Sequence, residues 1–157
     1  MRVGLGFDFH PFKKGKKLVL GGIIIKSDYG LSGHSDADVI IHSIVDAILG
    51  ALGKGDIGSW FPDTDIKYKN IDSSVFLNKA INLIKEDGYK IANIDVSYIG
   101  EKPKISKYRK QIRENLEKLT GSPVNIKATT MEKLGPIGRE EGAATMSIVL
   151  LEEKNNG

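Results

Sequence analysis

Apolar and polar residues along the chain alternate in two rhythms, a period of two that marks strands and a period near 3.6 that marks helices. Arg2–Phe9 (RVGLGFDF) and Lys17–Lys26 (KLVLGGIIIK) are rich in β-branched or aromatic residues and read as β segments, the second turning or bulging at Gly21 and Gly22. A Gly-bearing loop, 27–33, follows. From near Asp36 to about Leu52 the spacing becomes helical, and Ser35 with Asp38 forms the Ser-x-x-Asp pattern of a helix start. Residues 53–72 (GKGDIGSWFPDTDIKYKNID) hold glycines, a proline and several aspartates without a clean period. Loops of that length inside compact domains are usually functional or mobile. Ser73–Asp87 returns to helical spacing through Val75, Phe76, Ala80, Leu83 and Ile84, with Gly88 as its stop. Ile91–Ile99 alternates as a strand. Ile105–Thr120 is a charged amphipathic helix with Tyr108, Ile112, Leu116 and Leu119 inward, ended by Gly121. Val124–Thr130 and Ala143–Leu151 read as strands separated by the Gly-rich turn 135–142, and 154–157 as a frayed tail.

The order β, β, α, loop, α, β, α, β, β predicts an α+β fold in one domain, 1–157, with helices packed on one face of a mixed, mainly antiparallel sheet. A chain of 157 residues is long enough to bury a real core. Its 23 basic and 20 acidic residues are mixed along the chain, so the net charge of +3 gives no reason to expect a nucleic-acid partner. There is no cysteine, which removes disulfides and thiolate sites and leaves any metal to His and carboxylate ligands. No apolar run approaches the roughly 20 residues of a membrane helix, and Met1 leads straight into a strand-like segment. The expectation is a cytoplasmic protein with no membrane contact.

One feature of the first helix breaks this ordinary picture. Asp38, His42 and Asp46 fall four residues apart on one stripe, while Val45, Ile48, Ile41, Ile44 and Ile40 fill the other side. A buried polar stripe is costly unless its groups find partners, and a metal or ligand would supply one. The three histidines, His10, His34 and His42, all lie in the first 42 residues. Asp8 and His10, two apart in a strand, point to one face. With His42 they offer two imidazole nitrogens and one carboxylate oxygen, a set that zinc accepts while keeping a fourth position for water or substrate. The competing reading has Asp8 and His10 as a hydrogen-bonded pair at a strand end. Asp38 has the alternative of capping the helix. Asp46 either orients His42 through its second nitrogen or sits exposed. His34 and Ser35 stand just before the helix, where free N–H groups favour an anion, although Ser35 as a plain N-cap explains the serine equally.

Nucleotide motifs of other folds fail. Gly4 and Gly6 lack the third glycine of a dinucleotide fingerprint because Phe9 stands there, and Gly53-Lys54 lacks both the earlier glycine and the hydroxyl of a P-loop. Asp63 and Asp65 do not continue as a calcium loop. Lys127–Gly142 (KATTMEKLGPIGREEG) remains: its hydroxyls, glycines, guanidinium and carboxylate suit phosphate, with Glu132 able to hold a hard cation. The plain alternative is a strand followed by a Gly-rich turn.

Taken together, GFDFH (6–10), HSDADV through His42, GDIGSWFPDTD (55–65), Lys102-Pro103-Lys104 and KATTMEKLGPIGREEG resemble the 2-C-methyl-D-erythritol 2,4-cyclodiphosphate synthase family over essentially the whole chain. The resemblance implies a metal-dependent lyase of non-mevalonate isoprenoid biosynthesis. In its reaction the 2-phosphate of a CDP-linked methylerythritol attacks the sugar-proximal phosphorus of its own diphosphate, closing a ring and releasing CMP. It implies zinc on Asp8, His10 and His42, with His34 and Ser35 on substrate phosphate and His34 and Thr130 beside the developing transition state. Asp56, Ile57, Gly58, Phe61, Asp63 and Asp65 would contact the ribose and sugar alcohol. Gly100, Pro103, Lys104, Ile105 and Ser106 would cradle cytosine. Thr129, Thr130 and Glu132 would meet the diphosphate, Glu132 through Mg²⁺ or Mn²⁺, and Arg139 would lie near phosphate or a subunit boundary. It implies a homotrimer with active sites between subunits. Met131, Pro136 and Gly100 depart from the family pattern, where a third Thr, a larger residue and Ala are usual. Metal-dependent phosphoester hydrolysis and non-catalytic nucleotide binding are the competing functions.

Overall fold

The computed structural model describes residues 1–154. A five-stranded sheet runs in the order β4-β1-β7-β5-β6, built from β1 (Arg2–Lys14), β4 (Tyr29–Leu31), β5 (Tyr89–Ile99), β6 (Val124–Thr129) and β7 (Gly142–Glu153). β1, β4, β5 and β7 pair antiparallel, whereas β5 and β6 run parallel. A separate hairpin joins β2 (Leu18–Leu20) to β3 (Ile23–Ile25). Its turn places Gly21 at φ +58 and Gly22 at φ +76, the doubly left-handed geometry that glycine adopts without a Cβ clash. The helices are α1 (Val39–Leu52), α2 (Ile57–Trp60), α3 (Ser74–Glu86), α4 (Arg109–Thr120) and α5 (Gly135–Gly138). This is the predicted α+β arrangement. None of the helices among the described residues is long and apolar enough to cross a membrane.

α1 is the centre of the core. It lies on β1 and β7, with α3 beside it, and Ile40, Ile41, Ile44, Val45 and Ile48 are fully buried. The close seat depends on glycine in the strand. A Cβ at Gly4 would stand 1.9 Å from the Ala47 carbonyl oxygen, and one at Gly6 would stand 1.9 Å from that of Ser43. β1 thus turns Gly4, Gly6, Asp8 and His10 toward the helix and Val3, Leu5, Phe7 and Phe9 away from it. On β7, Met146 and Ile148 join that outward row. Leu5 and Phe7 are 60% and 54% exposed, so the far face of the sheet is an uncovered apolar surface.

Several boundaries differ from expectation. The first helix begins at Val39, with Asp38 as its N-cap, not at Ser35 or Asp36. Asp38 wins because its carboxylate accepts from the N–H groups of Ile40 and Ile41 and also from those of Gly21 and Gly22, tying the helix to the hairpin. The 27–33 loop contains β4, which pairs with an extension of β1 to Lys14. Ile105–Lys107 forms a 3₁₀ turn before α4 and is not continuous with it. Val75 is exposed, because α3 packs through Phe76, Leu77, Ala80, Leu83 and Ile84. The 53–72 stretch holds α2 and a 3₁₀ turn at Ile66–Tyr68, and the 135–142 turn holds α5. In the expected tail, Lys154 is tied by its N–H to the Gly88 carbonyl at 2.9 Å, while 155–157 lie outside the described residues.

Candidate active site

The β1 face that carries Gly4 and Gly6 continues into Asp8 and His10, so the same close approach that seats α1 brings His42 over them. The Asp8 Oδ2 atom lies 2.9 Å from His10 Nε2 and 3.1 Å from His42 Nδ1, and the two nitrogens are 3.1 Å apart. Burial opposes ionisation of Asp8, but the imidazoles of His10 and His42 against it outweigh that and hold the carboxyl at about 2. A carboxylate oxygen and two imidazole nitrogens converging this closely form a donor set that a divalent cation can hold together. Two atoms that each lie ~2.0 Å from a tetrahedral zinc are themselves ~3.3 Å apart, close to the spacings here. Among the described residues this is the group able to hold a metal ion.

The triad opens on a cavity of about 270 Å³ lined also by His34, Ser35, Ile57, Gly58, Phe61 and Asp63. Phe61, Tyr68 and Phe76 form its aromatic wall, with Phe61 and Phe76 centroids 4.5 Å apart and Phe76 5.9 Å from the His42 ring. His34 Nε2 lies 3.1 Å from the Asp65 carbonyl oxygen. Ser35 Oγ lies 3.1 Å from His42 Nε2 and accepts the Ala37 N–H. Neither residue sits at open helix amides, since Asp38 occupies the first N–H groups of α1. Asp56 caps α2 through Ser59 and points outside the cavity lining. Asp46 does not orient His42: its carboxylate accepts the Ile57 N–H at 3.1 Å and so fixes the start of α2.

The other predicted residues gather elsewhere. Gly100, Pro103, Lys104, Ile105, Ser106, Thr129 and Thr130 line a second cavity of about 170 Å³ between the end of β5 and the end of β6. Its floor is Tyr98, whose hydroxyl donates to the Lys102 carbonyl at 3.2 Å, and Arg109 stands at its edge. Thr130 Oγ1 donates to Glu132 Oε1 at 3.0 Å, and Glu132 and Lys133 hold φ of +50 and +64. Glu101 Oε1 accepts the N–H groups of Met131 and Lys133, clamping that bend. Sequence reasoning missed Tyr98, Arg109, Phe76 and Tyr68, and the clamping role of Glu101, because no spacing links them to the motifs they serve. Arg139 lines neither cavity; its Nε donates to Glu141 Oε1 at 2.6 Å, and it borders a third recess with Phe12, Lys102 and Glu140.

The family model of the YgbB family matches residues 1–152, nearly the whole chain. The chain belongs to the YgbB family. It is 51% identical over 160 residues to the 2-C-methyl-D-erythritol 2,4-cyclodiphosphate synthase of Halothermothrix orenii, covering 100% of this chain and 97% of that protein. A Geobacillus enzyme of the same name is 49% identical over 156 residues, 98% of this chain and 99% of its own length. Among solved structures, the CDP complex of IspF from Plasmodium falciparum superposes with a TM-score of 0.86 at 40% identity, covering 98% of this chain and 97% of that one. The bifunctional IspDF of Campylobacter jejuni gives a TM-score of 0.93 at 42% identity, with this chain spanning 42% of its length. Membership in the YgbB family thus rests on sequence and fold over the same residues.

Proposed function

We propose that the chain cyclises 4-diphosphocytidyl-2-C-methyl-D-erythritol 2-phosphate to 2-C-methyl-D-erythritol 2,4-cyclodiphosphate with release of CMP. The observation that carries this reading is the convergence of Asp8, His10 and His42 at the mouth of a cavity shared with His34 and Ser35, in a chain whose full-length relatives bear that enzyme's name. An intramolecular phosphate nucleophile is already ionised at neutral pH, so positioning and charge neutralisation supply most of the catalysis and no general base is needed. A donor set of two imidazoles and a carboxylate fits zinc, and the ion when bound supplies Lewis-acid stabilisation to phosphate oxygens. His34 and Ser35 hold substrate phosphate. Ile57, Gly58, Phe61 and Asp63 shape the space for the sugar alcohol, and Asp56 and Asp65 contact the ribose and sugar alcohol from outside that lining. Thr129, Thr130 and Glu132 receive the diphosphate, His34 and Thr130 flank the reacting phosphorus, and Glu132 carries Mg²⁺ or Mn²⁺. Gly100, Pro103, Lys104, Ile105 and Ser106 hold cytosine, and Arg139 lies near phosphate or a subunit boundary.

The two cavities have no lining residue in common. A homotrimer in which each active site combines the Asp8 cavity of one subunit with the Thr130 cavity of the next unites them, and the bare apolar row of Val3, Leu5, Phe7 and Ile148 supports burial of that sheet face in an assembly. Incubation with the CDP-linked substrate, Zn²⁺ and Mg²⁺ tests the reaction: CMP and a cyclic diphosphate by ³¹P NMR are expected. An open-chain phosphate would replace cyclisation with phosphoester hydrolysis.

A further inference from the structure

The nitrogen of His42 that faces away from Asp8 is equally well defined. Its Nε2 atom lies 2.8 Å from Ser73 Oγ, with Ser35 Oγ at 3.1 Å as a second neighbour. Ser73 stands immediately before α3 and is fully buried. It directs two donors at one carboxylate: its N–H reaches Asp36 Oδ2 at 3.0 Å, and its hydroxyl donates to Asp36 Oδ1. A carboxylate only accepts. The Ser73 proton therefore lies toward Asp36, and the oxygen presents a lone pair to His42. Nε2 must bring the proton to that contact, which leaves Nδ1 bare and aimed at Asp8 and His10.

We propose that Asp36 and Ser73 are positioning residues that fix the tautomer and ring orientation of His42, so that Nδ1 is the ligating atom. The proposal rests on reading Asp8, His10 and His42 as a metal site. Its chemistry is that of a carboxylate acting on a metal-bound imidazole, here relayed through one serine hydroxyl. The relay also links two chain segments: Asp36 precedes α1 and Ser73 precedes α3, so the start of one helix sets the ligand atom on the other. Asp36 has its own anchor, accepting the Asp38 N–H at 3.1 Å. Without the relay, the neutral imidazole divides between two tautomers, and the Nδ1–H form has no lone pair for the metal.

Two measurements test this. In the metal-free wild-type protein, ¹⁵N NMR of the His42 ring under conditions where it is neutral should show the Nε2–H tautomer; a predominant Nδ1–H form overturns the proposal. Zinc affinity, measured by competition with a coloured chelator, should fall about 10–100-fold in Ser73→Ala, with the ¹⁵N signals moving toward a tautomer mixture. Ser73→Thr, which keeps the hydroxyl, should restore both. A folded Ser73→Ala protein that binds zinc as tightly as wild type also overturns it. If that variant fails to fold, the wild-type tautomer decides alone. A wild-type protein that binds no zinc refutes the metal reading, while its ¹⁵N spectrum still reports on the relay.

Discussion

The cavity at Asp8 and the cavity at Thr130 are two different kinds of construction. Around Asp8 the polar groups are packed inside the fold: Asp38 and Ser73 are fully buried, His42 nearly so, and each has hydrogen-bonding partners from other segments. Around Thr130 the polar groups sit on a surface bend, held by Glu101 and by one another, with Thr129, Glu132 and Lys133 exposed. A site that must bind a metal in fixed geometry needs buried, satisfied donors, and burial also strengthens its electrostatics. A surface bend suits the half of the proposed trimeric site whose remaining walls would come from another copy.

The difference predicts unequal consequences. The largest belongs to the buried half: His42→Ala or Asp8→Ala should abolish zinc binding and lower turnover by ~10³-fold or more, since several kcal/mol of charge stabilisation are lost, with the oligomer intact by sedimentation. Near-normal turnover in either variant would remove the triad from the mechanism. Next, Phe7→Glu on the bare sheet face should dissociate the assembly to monomers in sedimentation, with activity falling in parallel, although no residue of either cavity changes; an active monomer would place the whole site in one chain. Third, at a Mg²⁺ concentration where Glu132→Ala alone is inactive, co-refolding equal amounts of His42→Ala and Glu132→Ala should return about a quarter of wild-type activity if every site joins halves from neighbouring copies at random. No recovery would mean that both halves act within one subunit. Glu132→Gln alone should raise the Mg²⁺ needed for half-maximal rate by about tenfold, the scale of one lost charged ligand contact, and an unchanged Mg²⁺ response would refute its role. The smallest effect is Gly100→Ala. The new Cβ would stand 2.9 Å from the Tyr98 ring, so thermal unfolding should show a loss of about 1–3 kcal/mol, with weaker CDP binding than wild type; unchanged stability would mean that the Tyr98 floor yields freely.

Asp38 shows how closely position and energy are linked beneath the Asp8, His10 and His42 group. Burial pushes its carboxyl up to about 6, opposed by the backbone N–H of Gly22 and those of Ile41 and Gly21 and reinforced by the nearby charge of Asp36. An ionised carboxylate in that setting persists because four backbone donors surround it. The helical stripe of Asp38, His42 and Asp46 therefore resolves into three separate tasks. Asp38 caps and ties the hairpin, His42 joins Asp8 and His10, and Asp46 holds α2.

Strand and helix periods, the glycine turn at 21–22 and the i, i+2 pair of Asp8 and His10 are local properties, and they determined most elements, the α+β class and the three converging residues from sequence alone. Local pattern left the faces undecided. β1 alternates apolar and polar residues as any half-buried strand does, and the usual assignment would bury Val3, Leu5 and Phe7. The tertiary structure inverts it, because α1 needs glycine beneath Ala47 and Ser43 to approach the strand, and only the Gly4-Gly6 face permits that. The same packing decided that His42 meets Ser73 and not Asp46 at its second nitrogen. Side chains four apart on a helix share a face, but a residue 31 positions away reaches the ring only when α3 has docked beside α1.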